Sequence, residues 1–226
     1  MRVVIVGAGT GIGKTHLSVA LLRALVAEGT PAVGLKPIES GIGLGRSDGE
    51  LLAEASMFHV KPSQPYAFAR PVSPHLAARE TGVTIQLATC QAWVDAHQAP
   101  WTVVESAGAL LSPLGGGLTN LDLARALAPG ALLLVALDRL GVLHELSACL
   151  LALRVLGPEL PPPLVVLQAP ELSDASTGSN GFELVELGIV GETLAVPRGE
   201  AGGDAVQTAA RQILARLRQR KASIAG

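Results

Sequence analysis

Residues 6–16 read VGAGTGIGKTH; the apolar run RVVIVG at 2–7 leads into them and LSVALLRALVAEG at 17–29 follows. A buried strand, a glycine turn and an amphipathic helix in direct succession form the frame of a phosphate cradle. Glycines let the backbone fold around the anion with its N–H groups pointing inward. Five residues separate Gly7 from Gly13, one more than in the common G-x-x-x-x-G-K-[ST] pattern. Lys14 is placed to reach the β- and γ-phosphates, and the Thr15 hydroxyl to ligate Mg²⁺. Gly7, Gly9 and a later glycine also mimic the dinucleotide fingerprint G-x-G-x-x-G. That alternative leaves Gly-Lys-Thr at the helix start without a role.

The rest of the chain repeats the strand–helix alternation. Strands are expected at 2–7, 31–37, 101–106, 131–137 and 163–169, and helices at 14–28, 84–98, 119–128, 142–157 and 204–221. Near-continuous Val/Leu strands suit a sheet covered on both faces. The expected fold is therefore α/β: one domain over 1–226, doubly wound, mainly parallel, with helices on both faces. In such sheets ligands bind beyond the carboxyl ends of the strands.

Bulk properties remove several classes of function. A net charge of −2 offers no general attraction to nucleic acid or an anionic membrane. Aromatic residues at 3% are poor material for base stacking. No apolar run approaches the roughly 20 residues of a membrane span, and MRVVIVGAG reads as a buried strand rather than a signal peptide. Cys90 and Cys149 lack metal-ligand or disulfide spacing, so core thiols in a reducing cytoplasm are expected.

Two further strand ends and one helix start carry chemistry. Lys36 in GLKPIESG closes the second strand, where burial is costly unless the ammonium meets an anion. Asp48 in GRSDGELL precedes a short helix, which it could equally cap. Glu105 in WTVVESAGAL has the position of a carboxylate that holds Mg²⁺ in nucleotide-hydrolysing proteins. Two lysines, a hydroxyl and two carboxylates at strand ends suit Mg-nucleotide chemistry on a second anionic group.

Together these residues resemble the dethiobiotin synthetases, whose phosphate loop has the same length and ending as GAGTGIGKT. VGLKPIESG (33–41), Ser47-Asp48, SPHLAAR (73–79), ESAGAL (105–110) and DRLGVLHEL (138–146) match that family in the same order. The resemblance implies a P-loop fold and ATP- and Mg²⁺-dependent ring closure. The diamine 7,8-diaminononanoate, with CO₂ or bicarbonate, would give dethiobiotin, ADP and phosphate in biotin synthesis. It implies that Lys14 and Lys36 flank the carbamate and γ-phosphate, and that Thr15, Asp48 and Glu105 hold the metal. The nucleotide would lie along Gly11, Ile12, Gly13, Lys14, Thr15 and His16, with Asp48 and Glu105 nearby. Gln168, Ala169 and Pro197 would face the base, Gln168 standing where the family has Asn. Ser40 and Ala107–Ala109, with Gly108 between, would line the diamine. Arg139, Gly141 and Val142 would receive its carboxylate across a homodimer interface. His75, Trp93 and Trp101 read as structural.

Gly9 replaces the family's Asp, Ser106 and Ala109 replace glycines, and His144-Glu145 stand in for an Asn-His pair. Three rivals share the loop. Cobyrinate diamide synthases usually carry an attached glutaminase domain, for which this chain has no room. Partitioning ATPases have a signature lysine where Gly9 stands. A non-catalytic nucleotide-binding homologue would not need all of Lys14, Thr15, Lys36, Asp48 and Glu105.

Overall fold

The computed structural model describes residues 1–43, 45–58 and 64–225, with side chains to 222. The first half runs β1 (Arg2–Gly7), α1 (Lys14–Ala27), β2 (Ala32–Leu35), β3 (Ile38–Ser40), α2 (Asp48–Ala55) and β4 (Tyr66–Phe68). Then come α3 (Pro74–Glu80), α4 (Leu87–Ala96), β5 (Trp101–Glu105), β6 (Pro113–Gly115) and β7 (Leu118–Thr119). The chain continues through α5 (Asn120–Leu127), β8 (Ala131–Leu137), α6 (Val142–Leu156) and β9 (Leu164–Gln168). It closes with α7 (Asn180–Glu186), β10 (Thr193–Val196) and α8 (Asp204–Ala225).

Six strands form one parallel sheet in the order β10-β9-β8-β1-β5-β2. Period-two alternation splits its side chains between two cores. Val3 and Ile5 of β1, Val103 of β5 and Leu133 of β8 pack under α1, α2 and α8. Val4, Val6, Val104 and Leu134 point the other way, under α3 to α7. Gly34 in β2 is required by this layering, because a Cβ there would run into the Leu22 side chain and approach Leu52 Cβ to 3.0 Å.

The expected α/β class and both-face coverage hold. Several boundaries differ. The second strand stops at Leu35, since Pro37 cannot donate to a ladder and the chain breaks to the separate β3–β4 pair. β10 was not expected: of its four residues only Val196 is buried, so it carries no apolar run. α3 and α7 are seven residues each, too short for a clear helical period. β5 lies between β1 and β2, so the Glu105 strand stands between the strand that feeds the Lys14 loop and the strand that ends just before Lys36.

Cys90 is fully buried in the core, and burial pushes its thiol up to about 12, which makes it inert. Cys149 is half-buried against the same core. Among the described residues no helix is long and apolar enough to cross a membrane.

Candidate active site

The parallel sheet puts the ends of β1, β2 and β5 side by side, and the loops leaving them enclose a cavity of about 540 Å³. Its floor is the glycine loop. Gly7 must lack a side chain, since a Cβ would meet Ile12 Cδ1 at 2.7 Å and Gly9 O at 2.9 Å. Gly13 at φ 85° turns the chain into α1 with no side-chain cap and no acid in the first turn. The α1 N-terminus therefore presents unpaired N–H groups and a positive dipole end to the cavity. Gln168, at the end of β9, donates from Nε2 to Gly13 O at 3.0 Å and braces this turn.

Lys14 folds back to Gly9 O at 3.3 Å and is buried. Burial pulls its ammonium down to about 8, with Glu105 opposing and Lys36 adding to the shift. A lysine so placed gains most from an arriving anion. Lys36 is as deeply buried yet behaves in the opposite way. Burial would lower its pKa, but the Glu105 and Asp48 carboxylates outweigh it and hold the ammonium firmly charged. Lys36 Nζ pairs with Asp48 and lies 2.7 Å from Glu105 Oε1.

Glu105 is the hub, only 1% exposed. Its Oε1 accepts from the Thr15 hydroxyl at 2.8 Å as well as from Lys36, and its Oε2 lies 3.0 Å from Ser18 Oγ. A hydroxyl on the phosphate loop, two carboxylates and a lysine thus converge from α1, α2, β5 and the end of β2. Thr15, Asp48 and Glu105 supply hard oxygen donors and leave positions for phosphate oxygens and water, the donor set a magnesium ion takes. Among the described residues no group of three acidic, His or Cys side chains forms a metal cage of its own.

Most of the residues singled out in the sequence line this cavity: Gly11–Thr15, Lys36, Ser40, Asp48, Glu105, Ala107 and Gly108. Ser40 is on the cavity wall, and its hydroxyl oxygen is buried with no hydrogen-bond partner among the described residues. Asp48 is the first residue of α2 rather than its cap; Ser47 caps the helix through a reciprocal box with Glu50. Ala109 does not line the cavity. Its N–H donates to Ser112 Oγ at 2.9 Å and its carbonyl accepts from Asn120 at 2.8 Å, so it holds the loop in shape.

The remaining assignments fall elsewhere. Ala169 donates to Val196 O at 3.0 Å across the β9–β10 ends, with Pro197 one residue beyond. His16 Nε2 lies 2.9 Å from Gly199 O, tying the loop after β10 to α1. Arg139 pairs with Glu145, Gly141 caps α6 at φ 95°, and Val142 is fully buried. None of these three lines the cavity of this chain. His75 is engaged by Ser73 Oγ at 2.8 Å, Trp93 stacks obliquely on His97, and Arg218 sits over Trp101.

Sequence reasoning missed Thr10, Glu39, Ser73 and Ser112 on the cavity wall. Thr10 lay inside the recognised loop. Glu39 had no short-range signal, because its partners come from residues 48, 49 and 64.

A protein-family model described as an AAA domain matches residues 1–167. An ATP-dependent dethiobiotin synthetase BioD of Anaeromyxobacter dehalogenans is 40% identical over 193 residues, covering 81% of this chain and 83% of the relative. The Caulobacter vibrioides protein of the same name is 32% identical over 190 residues, 79% of this chain and 86% of its own. Among solved structures, the MinC:MinD cell division complex of Aquifex aeolicus overlays with a TM-score of 0.53 at 14% identity, over 95% of this chain and 96% of that one. A ParA family ATPase from Chlorobium tepidum overlays at 0.50 and 14% identity, over 95% and 90%. At such identities the structural likeness establishes the fold alone.

Proposed function

The chain belongs to the ATP-dependent dethiobiotin synthetase family and is a cyclo-ligase of biotin synthesis, and from that premise we propose that the residues converging on Glu105 run the ring closure. The observation that carries this reading is the double engagement of Glu105. One carboxylate oxygen holds both the phosphate-loop hydroxyl of Thr15 and the ammonium of Lys36. The nucleotide end and the acceptor end of the site are thereby tied to one group.

One amine of 7,8-diaminononanoate takes up CO₂ as a carbamate, releasing a proton, and a carbamate oxygen attacks the γ-phosphate of ATP and displaces ADP. The second amine then closes the ring at the carbamate carbon and expels phosphate. Two anions must meet, so the site needs fixed positive charge where they approach. Lys14 and the α1 N–H groups receive the β- and γ-phosphates. Lys36 has three N–H donors, two of them committed to Asp48 and Glu105. The third faces the carbamate. Ser40 binds the diamine or its carbamate, alongside the backbone at Ala107 and Gly108. Thr15, Asp48 and Glu105 would hold Mg²⁺, which screens the phosphate charge. His16, Gln168, Ala169 and Pro197 flank the nucleotide's base side.

Transfer from C¹⁸O₂ tests the phosphorylated carbamate. One labelled oxygen in the released phosphate is expected, and phosphate free of label would contradict it.

We further propose a cytoplasmic homodimer in which the α6 N-terminus at Arg139–Val142 receives the diamine carboxylate bound to the partner. Supporting this, α6 carries a second apolar stripe on its outer face, with Leu151 and Val155 more than half exposed and Leu140 at 77% just before the helix. Leu151→Asp is expected to shift the protein to monomer in sedimentation and to raise the KM for the diamine at least tenfold. A dimer with unchanged KM would remove this face from the interface.

A further inference from the structure

Glu39 is a buried carboxylate, 5% exposed, on the cavity wall, and the chemistry above gives it no part. Its Oε1 accepts from Asp48 N at 2.6 Å and its Oε2 from Gly49 N at 3.1 Å. Gln64 Nε2 donates to Oε2 at 3.0 Å from the other side. The first two N–H groups of α2 are therefore filled by Glu39, while the third, on Glu50, is taken by Ser47. A negative carboxylate suits this end of the helix dipole, although burial raises the Glu39 pKa against those hydrogen bonds.

Gly49 reflects the closeness of the fit. A Cβ there would come within 3.2 Å of both Glu39 Oε2 and Gln64 Nε2. The helix is thus held by its N-terminus on Glu39 of β3, three residues after Lys36. Its first side chain, Asp48, pairs with Lys36. Filling the α2 N-terminus also keeps it from competing with the α1 N-terminus for phosphate.

We propose that Glu39 is a positioning residue: it pins the start of α2 so that Asp48 is held against Lys36 in the geometry that phosphoryl transfer uses. The inference rests on the role given to Asp48 above. Glu39 touches neither phosphate nor carbamate and acts through the Asp48 backbone.

The test is a double-mutant cycle on the full-length enzyme. Glu39→Ala is expected to lower kcat about 30-fold with the KM for ATP changed less than threefold. Glu39→Gln, which keeps the volume and one acceptor oxygen, is expected to fall between it and the wild type. Gly49→Ala is expected to reproduce a milder form of the same loss. In an Asp48→Asn background, already slowed about 100-fold, Glu39→Ala is expected to cost no more than a further twofold. Binding of Mn²⁺ with a non-hydrolysable ATP analogue, followed by electron paramagnetic resonance, is expected to weaken alike in either single variant. Losses that multiply would overturn the proposal and place Glu39 on the substrate. Wild-type kcat in Glu39→Ala with only a lowered melting temperature would reduce it to a helix cap. Full activity in Asp48→Asn would instead remove Asp48 from the reaction, and the proposal with it.

Discussion

Replacing Lys36 by Ala is expected to reduce dethiobiotin formation at least 1,000-fold while leaving the KM for ATP within about threefold. Each preorganised group facing transition-state charge is worth roughly 10²–10³ in rate, and Lys36 brings a full charge at 7% exposure. Buried at that depth, the charge is less screened than one in bulk water. Its loss falls on the step in which carbamate and γ-phosphate approach each other. In the proposed reading ATP is held by Lys14 and the α1 N-terminus, with which Lys36 makes no hydrogen bond. Glu105 would also be left buried without its nearest cation, a change that typically destabilises by about 3–5 kcal/mol. Melting curves must therefore accompany the kinetics, at a temperature where the variant is folded. Lys36→Arg is not expected to restore the rate, because a planar guanidinium cannot reproduce a compact three-donor ammonium between two carboxylates. Turnover within tenfold of wild type in folded Lys36→Ala would refute the carbamate role.

Glu105→Gln removes a charge and keeps the shape. The amide oxygen can still accept from Thr15 and Lys36, while the new NH₂ can donate to the Ser18 hydroxyl that lies 3.0 Å from Oε2. The hydrogen-bond pattern survives, so any kinetic loss reports the missing negative charge. We expect kcat to fall about 100-fold and the Mg²⁺ concentration for half-maximal rate to rise about tenfold. Lys14 also loses the carboxylate that opposes its downward shift, so its ammonium is less well held. Unchanged metal dependence would take Glu105 out of the metal site.

The first strand, the glycine loop and α1 were legible because each is coded within a few residues: an apolar run, glycines at the turn, then a helical period. β8 and β9 were legible for the same reason, being Val/Leu-rich runs buried throughout except at Leu137. What the chain does not encode locally is who lies beside whom. Placing β5 between β1 and β2 depends on sheet order, and only that order makes Glu105 the link between Lys36 and Thr15. β10 escaped because a half-exposed edge strand of four residues has no period to read. Asp48 could be taken as a helix cap, since Ser-Asp offers two capping side chains; the local Ser47-x-x-Glu50 box decides for Ser47. Gln168 was visible as an amide at a strand end, but its donor braces Gly13, which no linear pattern indicates. Glu39 was silent for the same cause.

The most direct measurement is mass spectrometry of the products formed by purified protein from 7,8-diaminononanoate, ¹³C-bicarbonate, Mg²⁺ and ATP. The expected result is dethiobiotin carrying ¹³C at the ureido carbon, with one ADP and one phosphate for each molecule formed. ATP hydrolysis without labelled dethiobiotin would contradict the account.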